Sequence, residues 1–239
     1  MIKYITSKDN NKIKHAASLK ESKYRKEYGE FLAEGLKSLQ MALNSKCIKE
    51  IFTVKEIENI PSDITQYMVS YDLLKKISST VSPEGVVFVC SMVNRKPKKL
   101  NKVVYLDKVN DPGNVGTIIR TALAFSYDAV IFSNGCCDPY NEKVVAASKG
   151  SLFSLPILSG SIDEYREGKQ VIVSALNDKA VDIKELKTPK SFILVVGNEA
   201  NGVTKEILDS ADIVTKIKID NIDSLNVAVA TGILMDHLR

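Results

Sequence analysis

Val103-Val104-Tyr105-Leu106-Asp107-Lys108-Val109-Asn110-Asp111-Pro112-Gly113-Asn114-Val115-Gly116-Thr117-Ile118-Ile119-Arg120-Thr121-Ala122-Leu123-Ala124-Phe125-Ser126 reads as strand, turn and helix. Its apolar, β-branched opening is expected to be a buried strand. Asp111-Pro112-Gly113-Asn114 is a run of turn formers, and a helix is expected from Val115. Asn114 stands at or just before the helix start, where a short polar side chain can cap free N–H groups. Arg120 interrupts a helix otherwise made of Ile118, Ile119, Ala122, Leu123 and Phe125. Core packing or a surface ion pair would account for it.

The same alternation of short β runs and helical segments continues to the C-terminus, which argues for a parallel sheet covered on both faces. Strands are expected over 103–106, 129–132, 171–175, 192–196 and 213–217, with helices over 115–126, 142–149, 161–167, 204–209 and 224–238. Open α/β sheets bind ligands beyond the carboxyl ends of their strands. Three segments fall there: the opening stretch, Gly197-Asn198-Glu199-Ala200-Asn201-Gly202, and the loop from Ile217 that leads into the last helix. Asp223 or Ser224 is expected to cap that helix, and Ala228, Ala230 and Gly232 are small enough to admit another backbone.

The N-terminal half reads as a smaller α/β domain. Residues 8–28 have the pattern of one amphipathic helix, in which Tyr24 and Tyr28 could stack on bases or simply pack. Strand, helix and strand follow over 30–35, 36–43 and 48–54, then again over 68–70, 71–77 and 85–90. Ser91 to Asn101, with Arg95-Lys96-Pro97-Lys98-Lys99, has linker composition. The expected domains are residues 1–97 and 98–239.

The formal net charge of +4 conceals an asymmetry. Residues 1–100 hold 18 Lys/Arg against 11 Asp/Glu, whereas residues 101–239 hold 15 against 18, and the first 26 residues hold eight basic side chains and two acidic ones. Such a bias suits a phosphate-backbone partner, although a solvated basic helix would show it too. No apolar run approaches the ~18 residues of a membrane span, and the lysine-rich start lacks a signal-peptide core, so a cytoplasmic protein without membrane association is expected. Cys47, Cys90, Cys136 and Cys137 show no C-x-x-C spacing and are expected to be reduced. Gly113 and Gly116 give only G-x-x-G, no P-loop motif is present, and no metal-ligand cluster is visible. With only His15 and His237, a histidine-based triad is disfavoured, so any chemistry falls to Arg, Asn, Glu and Ser.

Three motifs together resemble the SpoU (TrmH) family of RNA ribose 2′-O-methyltransferases within the SPOUT superfamily. Asp107-x-Val109-x-Asp111-Pro112-x-Asn114-x-Gly116-x-Ile118-x-Arg120-Thr121-Ala122 is similar to the first motif, Gly197-Asn198-Glu199-x-x-Gly202 to the second, and Ser224-Leu225-Asn226-Val227-Ala228-Val229-Ala230 to the third. Phe31-Leu32-Ala33-Glu34-Gly35 and Ser82-Pro83-Glu84-Gly85-Val86 resemble the accessory substrate-binding domain, an α/β fold similar to a ribosomal protein. The resemblance implies a C-terminal trefoil-knotted domain with a mostly parallel sheet, S-adenosylmethionine as cofactor, no metal, and a homodimer whose active site uses both subunits. It implies RNA as substrate, with ribosomal RNA favoured over transfer RNA. By position it assigns Arg120, Asn114, Glu199, Ser224 and Asn226 to the active site. Gly197, Ile217, Ile219, Leu225 and Asn226 are assigned to the cofactor. A catalytically silent RNA-binding or assembly protein, a tRNA ribose methyltransferase and a base methyltransferase are the alternatives.

The chain also departs from the family pattern. Ile217-Lys218-Ile219 and then Asn221 stand where the third motif usually has Ile-Pro-Met and then glycine. Ser126 stands at a usual glycine, and Ala146 where an arginine often precedes Ala147-Ser148.

Overall fold

The structure, a computed structural model, describes residues 1–92, 95, 97–177 and 180–239. Val93, Asn94 and Lys96 of the expected linker lie outside the described residues. In chain order the elements are β1 (Ile2–Ile5), α1 (Asn11–Ser18), α2 (Ser22–Tyr28), β2 (Glu30–Glu34), α3 (Leu36–Ser45), β3 (Ile48–Thr53), β4 (Thr65–Val69), α4 (Tyr71–Ile77) and β5 (Val86–Ser91). They continue as β6 (Lys102–Asp107), α5 (Pro112–Ala124), β7 (Ala129–Phe132), α6 (Glu142–Ser148), β8 (Ile157–Ser159), β9 (Gln170–Ser174), β10 (Val181–Asp182), β11 (Phe192–Gly197), α7 (Lys205–Asp209), β12 (Ile213–Lys216) and α8 (Val227–His237). No helix among the described residues is long and apolar enough to cross a membrane.

Two compact units result. One comprises Met1–Val93 with Tyr140–Ser154, the other Asn94–Pro139 with Leu155–Arg239. The segment carrying α6 therefore groups with the N-terminal unit, although the expected division at residue 97 assigned it to the C-terminal domain. Aromatic packing accounts for this: Tyr140 lies 4.8 Å and Phe153 5.9 Å, ring centre to ring centre, from buried Phe31 of β2.

The N-terminal unit is built on a sheet ordered β1-β4-β3-β5-β2, with β1, β4 and β3 parallel and β5 antiparallel to both β3 and β2. Ile13, Ala16 and Leu19 pack with Leu74 and Ile77 of α4 in one apolar cluster. The expected single helix over 8–28 is instead two, broken at Leu19–Glu21. Arg25 sits at this break. It is not on a solvated face but 2 % exposed, and its Nη1 donates to the carbonyls of Leu19 at 3.0 Å and Lys20 at 2.7 Å. These carbonyls are orphaned where α1 ends, and a buried guanidinium satisfies them.

Among the described residues the C-terminal unit holds seven strands, all parallel, ordered β10-β12-β9-β11-β6-β7-β8. Strand alternation sends Val103, Tyr105, Ile131, Val173 and Val195 into a cluster with Ile162 and Ile207, while their neighbours Val104, Leu106, Val130, Ile172 and Leu194 are equally buried. Both faces are thus covered, as near-continuous β-branched runs require. On one face α5 and α8 pack against each other. From β6 the chain builds outward through β7 to β8, then returns to add strands on the other side, so the strand order reverses between β6 and β11. Residues 161–167 form only a single 3-10 turn, Ile162–Glu164, and the short edge strands β1, β8 and β10 were not expected.

Two of the family departures fall on left-handed backbone. Ser126 has φ 57° and Asn221 φ 67°, conformations that glycine adopts without steric cost. Asparagine tolerates this region better than serine. Ser126→Gly is therefore expected to stabilise the chain by roughly 0.5–1 kcal/mol, read by urea unfolding at constant m-value. A loss of stability would show that the serine makes a compensating contact.

Candidate active site

Asp111, not Asn114, caps α5: its Oδ1 accepts from the backbone N–H of Asn114 at 2.7 Å. Asn114 lies in the first turn with its side chain free for other work. Its Nδ2 donates to Oε1 of Glu199 at 3.0 Å, and its Oδ1 accepts from Nδ2 of Asn226 at 2.9 Å. Asn226 in turn caps α8, its Oδ1 accepting from the N–H groups of Ala228 at 2.9 Å and Val229 at 3.3 Å. This displaces Asp223 and Ser224 from the capping role expected of them. The capping bonds fix the direction of the relay. Once the Asn226 oxygen faces two donors, its amide must donate to Asn114, whose own amide is left to donate to the carboxylate.

The second loop is held to the first by backbone contacts. Asn198 Nδ2 donates to the Lys108 carbonyl at 3.0 Å, while its Oδ1 accepts from Ala200 N–H at 3.0 Å and Asn201 N–H at 3.1 Å. Asp107, 2 % exposed, accepts from Thr204 N–H at 2.6 Å. Gly197 is required by space: a Cβ there would overlap the backbone of Gly202 and Val203. The loop after β11 is thereby closed on itself and fastened to the end of β6.

Beyond the carboxyl ends of the neighbouring strands β12, β9 and β11 opens a cleft of about 670 Å³, within the ~300–1,000 Å³ usual for small-molecule sites. Gly197, Ile217, Ile219, Leu225 and Asn226 all line it, as does Ser224. Sequence reasoning missed Ser174, Ala175 and Leu176, which line it at the end of β9. The strand-end rule that picked out the other loops could have found them. Among the described residues no cluster of His, Cys, Asp or Glu could hold a metal.

Arg120 stands apart from the relay. Six residues beyond Asn114, it is displaced by about 9 Å along α5 and about 240° around it, and it is exposed, as is Thr117 one turn earlier. No hydrogen bond or ion pair engages it among the described residues. The structure thus brings Asn114, Glu199 and Asn226 into one network, places Ser224 on the cleft, and leaves Arg120 on an outer helix face.

A parallel sheet with a ligand-sized cleft at its carboxyl edge, and a polar relay where the strand order reverses, defines a doubly covered α/β protein built to bind a small molecule. More narrowly, the chain belongs to the SpoU rRNA Methylase family, whose model matches residues 101–236. Residues 10–87 match an MRM3-like substrate binding domain. The chain is 36 % identical to the 23S rRNA (guanosine(2553)-2′-O)-methyltransferase RlmP of Bacillus subtilis, over 100 % of both chains. It is similar in fold to an AdoMet-bound rRNA methyltransferase from Sinorhizobium meliloti, with a TM-score of 0.90 and 30 % identity over 100 % of this chain and 97 % of that one. A solved RNA 2′-O ribose methyltransferase matches with a TM-score of 0.82 and 26 % identity over 99 % and 98 %.

The region after β7 carries a further chemical consequence. Cys137, whose N–H donates to the Val109 carbonyl at 3.1 Å, has its thiol pushed up to about 12 by burial, with Cys136, Asp138, Asp111 and Glu199 adding to it. At pH 8 about one thiol in ten thousand would then be ionised, and the thiolate is the nucleophile. Iodoacetamide is expected to leave native Cys137 almost untouched at pH 8, with labelling rising tenfold per pH unit, as read by peptide mass spectrometry. Rapid labelling at pH 8 would contradict this environment.

Proposed function

We propose that this chain transfers a methyl group from S-adenosylmethionine to a ribose 2′-OH of structured RNA, ribosomal RNA in preference to transfer RNA, as a cytoplasmic homodimer with a trefoil-knotted C-terminal domain. The observation that carries this reading is the convergence of the three motifs: Asn114, Glu199 and Asn226 share one relay beside a cleft lined by Gly197, Ile217, Ile219 and Leu225.

The cleft suits a nucleoside cofactor. Gly197 lines the cleft where the loop after β11 closes on itself, and the apolar side chains of Leu176, Ile217, Ile219 and Leu225 can flank a flat base. S-adenosylmethionine supplies an electrophilic methyl on a sulfonium. The chain must align the ribose oxygen with it, and alignment contributes on the order of 7 kcal/mol or more when geometry is ideal.

Glu199 is an anchor in this scheme and not a general base, because its Oε1 already accepts from Asn114 Nδ2 and from Asp111 N–H. Arg120 acts as a cation. It grips the phosphate beside the target ribose in a bidentate contact and stabilises the alkoxide as it develops, while the 2′-OH proton passes to phosphate or water.

The outer position of Arg120 favours a site shared between two chains. Val229 and Ile233, one turn apart on α8, are 54 % and 41 % exposed, an apolar face suited to a second copy. In that arrangement the partner's Arg120 completes each cleft.

Arg120→Ala is expected to reduce methyl transfer to ribosomal RNA by at least ~10²-fold while calorimetry finds S-adenosylmethionine affinity within a few-fold of the parent. A large loss of cofactor binding would show that Arg120 holds the cofactor instead. Mixing Arg120→Ala with Asn114→Ala subunits is expected to restore transfer, since one site of each mixed dimer is then intact. No restoration, with mixed dimers demonstrated, would place both residues in one chain's site. Mapping alkali-resistant nucleotides in ribosomal RNA from cells with and without the protein tests the substrate.

A further inference from the structure

Within the N-terminal unit three aromatic rings stand in series. Tyr24 and Tyr28, one turn apart on α2, are nearly parallel, with ring centroids 6.0 Å apart and planes 12° apart. His15 of α1 lies beside Tyr28, with ring centroids 4.9 Å apart and planes 52° apart. Tyr28 is 42 % exposed, at the point where left-handed Gly29 turns the chain into β2.

The series is anchored from below. His15 Nε2 lies 2.6 Å from Oε2 of Glu30, and Lys49 pairs with the other oxygen of that buried carboxylate. Burial pushes the Glu30 carboxyl up, but hydrogen bonds from Lys49 and His15 outweigh it and hold the group below its ordinary range. Glu30 therefore stays ionised near neutral pH and keeps the imidazole in place. Tyr28, exposed and held in this way, presents a ring with little rotamer freedom left to lose on binding.

The lysines of this region are of two kinds, and the exposed Glu27 stands with Lys23 and Lys26 on α2. Lys12 is paired with Glu50 at 2.7 Å, Lys14 with Asp9 at 3.6 Å, and Lys49 with Glu30. Lys23 and Lys26, on the tyrosine helix, have no carboxylate partner among the described residues, and Lys23 Nζ lies 5.5 Å from the Tyr24 ring centre. An aromatic face beside unpaired cations fits a base attached to a phosphate backbone. A packing pair of tyrosines would need neither the exposure of Tyr28 nor the free lysines.

We propose that His15, Tyr28 and Tyr24 form a stacking platform for an unpaired RNA base, with Lys23 and Lys26 holding the flanking phosphates. The platform rests on the reading of RNA as substrate and specifies what the N-terminal unit recognises: single-stranded nucleotides, not duplex, whose base faces are hidden within the stack.

The test uses the full chain without cofactor and a short single-stranded oligoribonucleotide carrying one 2-aminopurine, whose fluorescence is quenched on stacking. The parent protein is expected to quench it. Tyr28→Ala should lose the quench and weaken binding by at least about fivefold, whereas Tyr28→Phe, which keeps the ring, should retain both. Lys23→Ala should keep the quench and lower the slope of log affinity against log salt by about 0.7. The matching duplex should bind Tyr28→Ala and the parent alike. Parental quench and affinity in Tyr28→Ala would overturn the platform, and so would an equal loss of duplex binding. If the parent still methylates ribosomal RNA in either case, the platform fails alone. A parent protein that binds no RNA removes the substrate reading and the platform with it.

Discussion

The hydrogen bonds from Asn226 to Asn114 and from Asn114 to Glu199 join loops that lie 112 and 85 residues apart in sequence. Each strand of a parallel sheet needs a long crossover before the next, so the loops at one edge are neighbours in space and strangers in sequence. Two exposed side-chain bonds contribute only about 0.5–1.5 kcal/mol each to stability. Their effect is geometric. Because Asn226 also caps α8 and Asp111 caps α5, the relay ties two helix starts to the loop after β11, and displacing any one of the three loops breaks a cap or strands an amide.

Stability is supplied elsewhere, by the fully buried strands β6, β9 and β11, and this division lets the edge of the sheet carry strain. Lys108 adopts φ 55° at the end of β6, and its carbonyl is the one that Asn198 grips. Asn221 adopts its left-handed conformation in the loop between β12 and α8. Non-glycine residues in this region cost on the order of 1 kcal/mol or more and persist only where surrounding contacts over-determine them. Lys108 has such contacts: its N–H donates to Ser133 Oγ at 2.9 Å while its carbonyl accepts from Asn198.

The parallel sheet was legible because both-face burial writes itself as uninterrupted β-branched runs such as Val103-Val104 and Ile193-Leu194-Val195-Val196. Gly197, Ile217, Ile219, Leu225 and Asn226 were singled out by the three motifs together, and the cleft at the strand ends brings them onto one surface. Caps were not. Between Asn221 and Asn226 lie several short polar side chains of equal local merit, and what distinguishes Asn226 is its bond to Asn114, a tertiary fact. The burial of Arg25 was not legible either: in an amphipathic pattern a basic residue reads as solvent-facing, but an interrupted helix leaves carbonyls that a buried guanidinium can satisfy. Membership of Tyr140–Ser154 in the N-terminal unit was likewise hidden, because helical periodicity says that a face is apolar without saying which sheet it meets.

The relay also bears on the charge of Arg120. A carboxylate at a strand-end loop needs donors, and an arginine would satisfy it strongly in a bidentate pair, neutralising both groups. Here Glu199 is satisfied by the amides of Asn114 and Asn198 and by Asp111 N–H, all of them uncharged. The anchor is therefore complete without a cation. Arg120, on another face of the same helix, keeps its charge unspent, so anchoring the loop and carrying that charge fall to separate residues. Exchanging Asn114 for a basic residue would merge those tasks, since the new cation would neutralise Glu199 and lose the oxygen that accepts from Asn226.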